Sequence, residues 1–463
     1  LSNDIRLNIL KEISKSNIIN SNIKIRNVSI NSKDIKKNDV FFAIKGKKKD
    51  GNLFVKEAIK KGASLVVVNK LQKTLKQIKV KDTLSFLTEA SSVLRNNTSS
   101  KIIAITGSCG KTSLKELIGK TLNKICNTTY SPKSFNNKFG VPLSLFNLKK
   151  NDAFGIFEIG MDRKGEIDFL SKIIKPDLGV ITNVSYAHAK NFKNIKEIAL
   201  AKSEIIKNIK DNGTLILNAD DKFYQLHKKI GEKRKLKIYS FSINKKSSRV
   251  NLDCIKKEKQ KYKIFINIDN TKKYFYFKSK FENDIKNLLA SVSIISVFKD
   301  IKNINSNIFY DHKTTNARGD ISRIKIFKKH IYLVDESYNS NPLSLTSALK
   351  NLDMIRVSSS KKHVILGDML ELGKHSKKLH IEIAKSINKT SIKNVNVIGS
   401  HIKDVYKNLN DSKKGLILEK NLQIIDLIKN NINNNDYLMI KGSNSTGLHK
   451  FTSDLKKGKI NAI

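Results

Sequence analysis

Short apolar runs recur along the chain, each followed by a polar break and then by a stretch with helical spacing, which predicts parallel strands joined by helices. The run 102–105 is a short buried strand by this reading. It breaks at Thr106 and Gly107, and Gly110, Lys111, Thr112 and Ser113 then open a helix-forming stretch. Upstream, 23–30, 39–44 and 63–69 predict strands, with a helix over 52–61 stopped by Gly62. Downstream, strands at 153–159, 178–181 and 214–217 suit a doubly wound parallel sheet. Residues 236–281 alternate apolar and charged positions around Asp269 and Asn270, which predicts a hairpin extension, and 281–298 returns to helix. Strands at 331–334, 363–366, 395–398 and 437–440 mark a further α/β unit without a G-x-G-x-x-G turn. The expected fold is α/β in three domains: a small N-terminal one over 1–98, a central one over 99–312 and a Rossmann-like one over 313–463.

The break after the 102–105 run carries the first chemistry. A strand, a glycine turn and a helix start leave several backbone N–H groups in one concavity at the positive end of a helix dipole, which suits a polyphosphate. Gly107, Ser108, Cys109, Gly110, Lys111, Thr112 and Ser113 form the pattern G-x-x-G-K-T-S, shorter than the usual loop, whose first glycine falls at Ile105 here. Lys111 would meet the β- and γ-phosphates and the Thr112 hydroxyl a Mg²⁺ ion, so ATP is the expected ligand. A glycine turn with an incidental lysine is the plainer alternative, and the order of the parts favours the loop. Ligands in such sheets collect beyond the carboxyl ends of strands. Glu158 and His188 stand at two such ends and are placed to ligate Mg²⁺, although either could be an ordinary capping or loop residue.

Charge changes the picture less than its size suggests. The 463 residues carry 89 Lys and Arg against 41 Asp and Glu, a net +48. The lysines are scattered among Asn and Ile, with no basic stripe interleaved with aromatics, so no nucleic-acid partner is expected. Cys109, Cys126 and Cys254 match neither a disulfide framework nor a zinc site. No run approaches about 18 apolar residues, and no secretory h-region opens the chain, so a cytoplasmic protein without membrane insertion is expected.

GSCGKTS, SFNNKFGVP, EIGMDRKGEI, TNVSYAHAKNF, AKSEII, LNADD, DESYNSNPLSL, ILGDMLELG and IKGSNS, in this order, resemble the ATP-dependent Mur ligases of peptidoglycan synthesis, and among them the branch that adds D-alanyl-D-alanine. The resemblance implies a UDP-binding N-terminal domain, a central ATPase and a C-terminal domain that closes over the nucleotide. It implies amide ligation between a UDP-muramoyl tripeptide and D-alanyl-D-alanine through an acyl phosphate, by an enzyme expected to be a monomer. Sibling ligases that add a single amino acid share the central motifs. By the same resemblance Thr112 and Glu158 hold one Mg²⁺, while His188 and Lys202 serve a second, Lys202 as an N-carboxylysine. Asn136 or Asn137 meets the γ-phosphate, and Arg318 reaches the nucleotide from the third domain. Asp335, Asn339 and Asn341 resemble the ribose and adenine contacts, and the two asparagines read equally well as turn residues before Pro342. Ser32 and Lys33 fall on the UDP motif, where Lys33 replaces the family's arginine.

Overall fold

The computed structural model describes residues 5–15, 23–46, 49–73, 76–269 and 271–460. Three sheets divide them. The first has four parallel strands in chain order, Val28–Ser29, Asp39–Phe42, Ala63–Val68 and Gln77–Lys79. Of the strand expected over 23–30, Val28–Ser29 alone pairs in the sheet. Ile23 and Ile25 still bury their side chains, while Arg26 turns to a paired contact with Asp39 at 3.0 Å. The helix expected over 52–61 starts as a 3-10 turn, Gly51–Phe54, and continues as Val55–Lys60.

The helix Thr83–Asn96 links this unit to the next. Asp82 caps it by accepting from Ser85 N, and Phe86, Leu87, Ala90 and Leu94 form its buried stripe. At its end the buried Arg95 donates to Ile174 O at 2.7 Å and to Asp177 Oδ2 at 2.8 Å. The same Asp177 oxygen accepts from Ile102 N, so the base of the central sheet is pinned to the N-terminal unit.

The central sheet has nine strands. Thr128–Tyr130, Phe154–Glu158, Lys101–Thr106, Leu178–Ile181, Thr214–Asn218 and Lys237–Ser242 run parallel across it. Val250–Glu258, Lys261–Ile268 and Thr271–Phe277 extend it as an antiparallel meander. The hairpin expected over 236–281 is thus larger: Val250–Glu258 joins Lys237–Ser242 in parallel and then turns back twice through antiparallel pairings, and Asn270 lies outside the described residues. Helix Glu282–Phe298 packs Ile285, Leu288, Leu289 and Val292 against the core that includes Leu114 and Ile118 of helix Lys111–Leu122.

The third sheet has the order Asp320–Ile326, Lys329–Asp335, Tyr437–Lys441, Lys362–Gly367, Asn394–Ile398, Lys414–Leu418, parallel but for its first pair. Both outer strands escaped the sequence pattern because they lie at sheet edges and carry lysines, Asp320–Ile326 exposing alternate side chains and Lys414–Leu418 exposing Leu416 and Ile417 in succession. Among the described residues no helix is long and apolar enough to cross a membrane.

Candidate active site

The tips of the central strands face the third unit across a cavity of about 730 Å³. Its central wall is the loop between strand Lys101–Thr106 and helix Lys111–Leu122. Gly107 turns at φ 147°, and a Cβ there would sit 1.9 Å from Thr182 Oγ1, so no other residue fits. Asn183 laces the loop from the neighbouring strand end: its backbone O accepts from Ser108 N at 3.0 Å, and its Oδ1 accepts from Cys109 N at 2.9 Å. Thr182 Oγ1 donates to Cys109 O at 2.7 Å, and the Ser108 hydroxyl donates to Ser185 O at 2.9 Å. Neither Thr182 nor Asn183 was singled out from the sequence, where they stood only as residues following a strand.

Behind the loop, Glu158 is 1% exposed and accepts from Thr112 Oγ1 and from Asn136 Nδ2, each at 2.7 Å. Asn137, in contrast, is exposed and spends its Oδ1 on Phe139 N and Gly140 N, capping the turn before helix Gly140–Phe146. Both asparagines line the cavity, and Asn136 is the one that touches the acidic centre. Lys111 Nζ donates to Gly107 O at 2.8 Å, and burial holds its amine below the ordinary lysine range, partly offset by the charge of Glu158. Lys202 lies on helix Ile195–Lys207, 3% exposed, without a hydrogen bond or ion pair to any described residue. Burial and then the charge of Lys111 push its amine well below the ordinary lysine range.

The third unit supplies the opposite wall. Arg318 spans the gap, donating to Ser134 Oγ at 3.2 Å while its guanidinium lies 4.1 Å from the Tyr338 ring centre. Asn341 caps helix Pro342–Asp353 in a capping box with Ser344, and its Oδ1 also accepts from Cys109 Sγ at 3.2 Å across the cavity. Asn339 lines the wall too, its Oδ1 accepting from Ser340 N at 2.8 Å. The turn chemistry expected before Pro342 is therefore present, on residues that also face the cavity. Lys441, buried between Glu336 Oε2 at 3.3 Å and Asn339 O at 3.0 Å, supports the same wall and was not anticipated as a site residue.

The cavity thus gathers Gly107, Ser108, Cys109, Gly110, Lys111, Thr112 and Ser113 with Asn137, Glu158, His188, Lys202, Arg318, Asn339 and Asn341. Three expected residues are elsewhere. Asp335 is not among the cavity residues: its Oδ1 accepts from the Ser337 hydroxyl at 2.6 Å and its Oδ2 pairs with Lys456 Nζ at 2.6 Å, so its charge is spent inside the third unit. Ser32 and Lys33 belong to the N-terminal unit. Ser32 is buried and donates to Glu57 Oε2 at 2.8 Å, so it anchors the turn, and the exposed Lys33 is left as the outward-facing member of the pair.

A phosphate loop and an acidic centre facing a second α/β unit narrow the class, and comparison with known proteins decides it. The chain is 31% identical to the UDP-N-acetylmuramoyl-tripeptide–D-alanyl-D-alanine ligase of Buchnera aphidicola (subsp. Acyrthosiphon pisum), with 96% of each chain covered. This chain belongs to the Mur ligase family. The enzyme of the same name from Rickettsia prowazekii is 33% identical over 96% of this chain and 97% of its own. Family models match in order: the Mur ligase family catalytic domain over residues 24–98, the Mur ligase middle domain over 105–295 and the Mur ligase glutamate ligase domain over 322–444. The fold matches that of the MurF ligase of Thermotoga maritima in complex with ADP, with a TM-score of 0.78 and 24% identity over 96% of this chain and all of that one.

Proposed function

We propose that the protein joins D-alanyl-D-alanine to a UDP-N-acetylmuramoyl tripeptide while cleaving ATP to ADP and phosphate. The observation that carries this reading is the meeting of the phosphate loop, Glu158, Lys202 and Arg318 in one cavity, in a chain that aligns almost end to end with ligases of that name. In the proposed sequence a carboxylate oxygen of the tripeptide attacks the γ-phosphorus, and ADP leaves. The dipeptide amine then attacks the carbonyl of the acyl phosphate, and the tetrahedral species collapses with loss of phosphate.

The difficulty is electrostatic, since a carboxylate must approach a triphosphate. Lys111 and the N–H groups that open helix Lys111–Leu122 would hold the phosphates, and Arg318 adds charge from the opposite wall, all placed before the reaction begins. Thr112 and Glu158 offer adjacent hydroxyl and carboxylate oxygens, the hard donors that magnesium takes, and would hold one Mg²⁺. We assign His188 and Lys202 to a second. When bound, such ions neutralise the charge between carboxylate and phosphate. Lys202 suits that assignment as a carbamate: burial weakens the amine's hold on its proton, and the amine that has given up that proton adds to CO₂ and loses another, turning a cation into an anionic ligand. NMR under ¹³CO₂ is expected to show one carbamate carbon that the Lys202→Ala variant lacks.

We further assign residues 1–98 to the UDP end of the substrate, with Lys33 as its cationic contact, 99–312 to ATP, and 313–463 to a domain that closes with Arg318, Asn339 and Asn341 against the nucleotide. The nucleotide-linked substrates go with a cytoplasmic setting. The test is phosphate release from ATP across a panel of UDP-muramoyl peptides crossed with D-alanyl-D-alanine and single amino acids. Release that needs both the tripeptide and the dipeptide is expected. Release driven by a single amino acid in place of the dipeptide would move the protein to a sibling activity.

A further inference from the structure

We propose that Glu371 is a positioning residue for His188, so that docking of the C-terminal loop 368–376 on the central loop 186–192 sets the orientation of an imidazole in the cavity. The proposal rests on the ligase reading above. His188 sits at φ 56° beyond the central sheet, with Nδ1 2.6 Å from Glu371 Oε2 and 3.8 Å from Asp162 Oδ1. Lys190 Nζ lies 3.7 Å from an oxygen of each carboxylate, so two anions and one cation surround the ring's Nδ1 side.

Contacts that do not involve His188 hold the two loops together. Lys190 N donates to Glu371 O at 2.8 Å, and His375 Nε2 is 3.2 Å from Phe192 O. The Tyr186 and His375 rings are 5.1 Å apart. At Gly373, φ 55°, an added Cβ would fall 2.7 Å from Lys190 Cα, so the approach of the two backbones requires glycine there. Glu371 itself is held at φ 64°. The loop is thus seated by its backbone, and the seat brings the Glu371 carboxylate to the ring.

Nδ1 makes no hydrogen bond in this ligand-free arrangement although Glu371 Oε2 is only 2.6 Å away, so a turn of the ring is enough to let Nδ1–H donate to the carboxylate and leave Nε2 as the basic nitrogen of the neutral ring. A carboxylate behind a histidine is the usual means of fixing both tautomer and ring angle when the other nitrogen binds a cation. In this chain that carboxylate comes from a different domain than the histidine. Undocking of the loop therefore releases the ring, and His188 becomes competent only when the third domain is seated.

The test uses the full chain. In ¹⁵N NMR of the ligand-free protein with the ring neutral, His188 is expected mainly as the Nδ1–H tautomer. Glu371→Ala shifts it toward Nε2–H, and Glu371→Gln, which keeps an acceptor, restores Nδ1–H. In phosphate release with both substrates, Glu371→Ala raises the Mg²⁺ concentration for half-maximal rate by about 10- to 100-fold, with the Gln variant in between. Melting curves check that the variants fold. An unchanged tautomer in Glu371→Ala overturns the proposal, as does an equal rate loss in both variants without a change in Mg²⁺ requirement. If the wild type releases no phosphate with both substrates, the ligase reading fails by itself, and the NMR arm still decides whether Glu371 orients the ring.

Discussion

Glu158 closes the strand Phe154–Glu158 of the central sheet, and Asp335 closes Lys329–Asp335 of the C-terminal sheet; they are 1% and 3% exposed. From the sequence both were candidates for the nucleotide site, Glu158 as a Mg²⁺ ligand and Asp335, by the family resemblance, as a ribose or adenine contact. Their partners separate them. Among the described residues the Glu158 carboxylate is hydrogen-bonded only by the uncharged groups of Thr112 and Asn136, both on the cavity wall. Asp335 meets the ammonium of Lys456 on the last helix, and Lys456 also pairs with Asp320. A buried carboxylate whose charge a permanent cation already neutralises holds the fold together. One with uncharged partners beside a cavity stays open to an incoming cation.

The sharpest test exchanges the charge at each position. Glu158→Gln is expected to slow ATP-dependent phosphate release by about 10²- to 10³-fold with little change in melting temperature. Asp335→Asn should do the reverse, costing about 1–3 kcal/mol of stability and leaving the KM for ATP unchanged. If Asp335→Asn instead raised that KM as much as Glu158→Gln slowed turnover, the distinction would collapse.

A pH series sharpens the structural half. Burial opposes the charge on Lys456, but hydrogen bonds to Asp320 and Asp335 outweigh it and hold its amine above the ordinary 10.5. A raised folded-state value contributes stability that is fully present below 10.5 and is lost as pH rises through the elevated value. The wild type should therefore lose melting temperature above that pH, and Asp335→Asn should lose less.

Two smaller effects follow on the outer walls. Arg318→Ala, which removes the bridge to Ser134, is expected to raise the KM for ATP by about tenfold. Ser32→Ala should cost about 1 kcal/mol of stability through the bond to Glu57, without changing the KM for the UDP-muramoyl tripeptide. Lys33→Ala should raise that KM several-fold, and equal effects of both on it would return Ser32 to the binding surface.

The same contrast explains what the sequence made legible. The phosphate loop is local: its glycines, Lys111 and Thr112 lie within one turn, and one glycine is demanded by a neighbour 1.9 Å from where its Cβ would be. Buried central strands announced themselves as unbroken apolar runs, and 178–181 kept its expected bounds. Pairings across the chain were silent. The buried Arg95 reaches Asp177 over 82 positions, and nothing near Asp335 hints at Lys456 on the closing helix. In the same way His188 could be read as a strand-end ligand, but its approach to Glu371 arises only when two loops from different sheets meet. Asn136 and Asn137 were indistinguishable in sequence, and the turn that consumes the Asn137 oxygen separates them.

The most direct measurement follows one oxygen atom. A UDP-muramoyl tripeptide labelled with ¹⁸O in its reacting carboxylate is incubated with ATP and D-alanyl-D-alanine, and the released phosphate is analysed by mass. Attack of that carboxylate on the γ-phosphorus, followed by expulsion of phosphate from the acyl phosphate, transfers one ¹⁸O from the tripeptide to each phosphate. Phosphate released without the label would mean that water, and not the substrate carboxylate, meets the nucleotide in the cavity above Glu158, and would contradict the account.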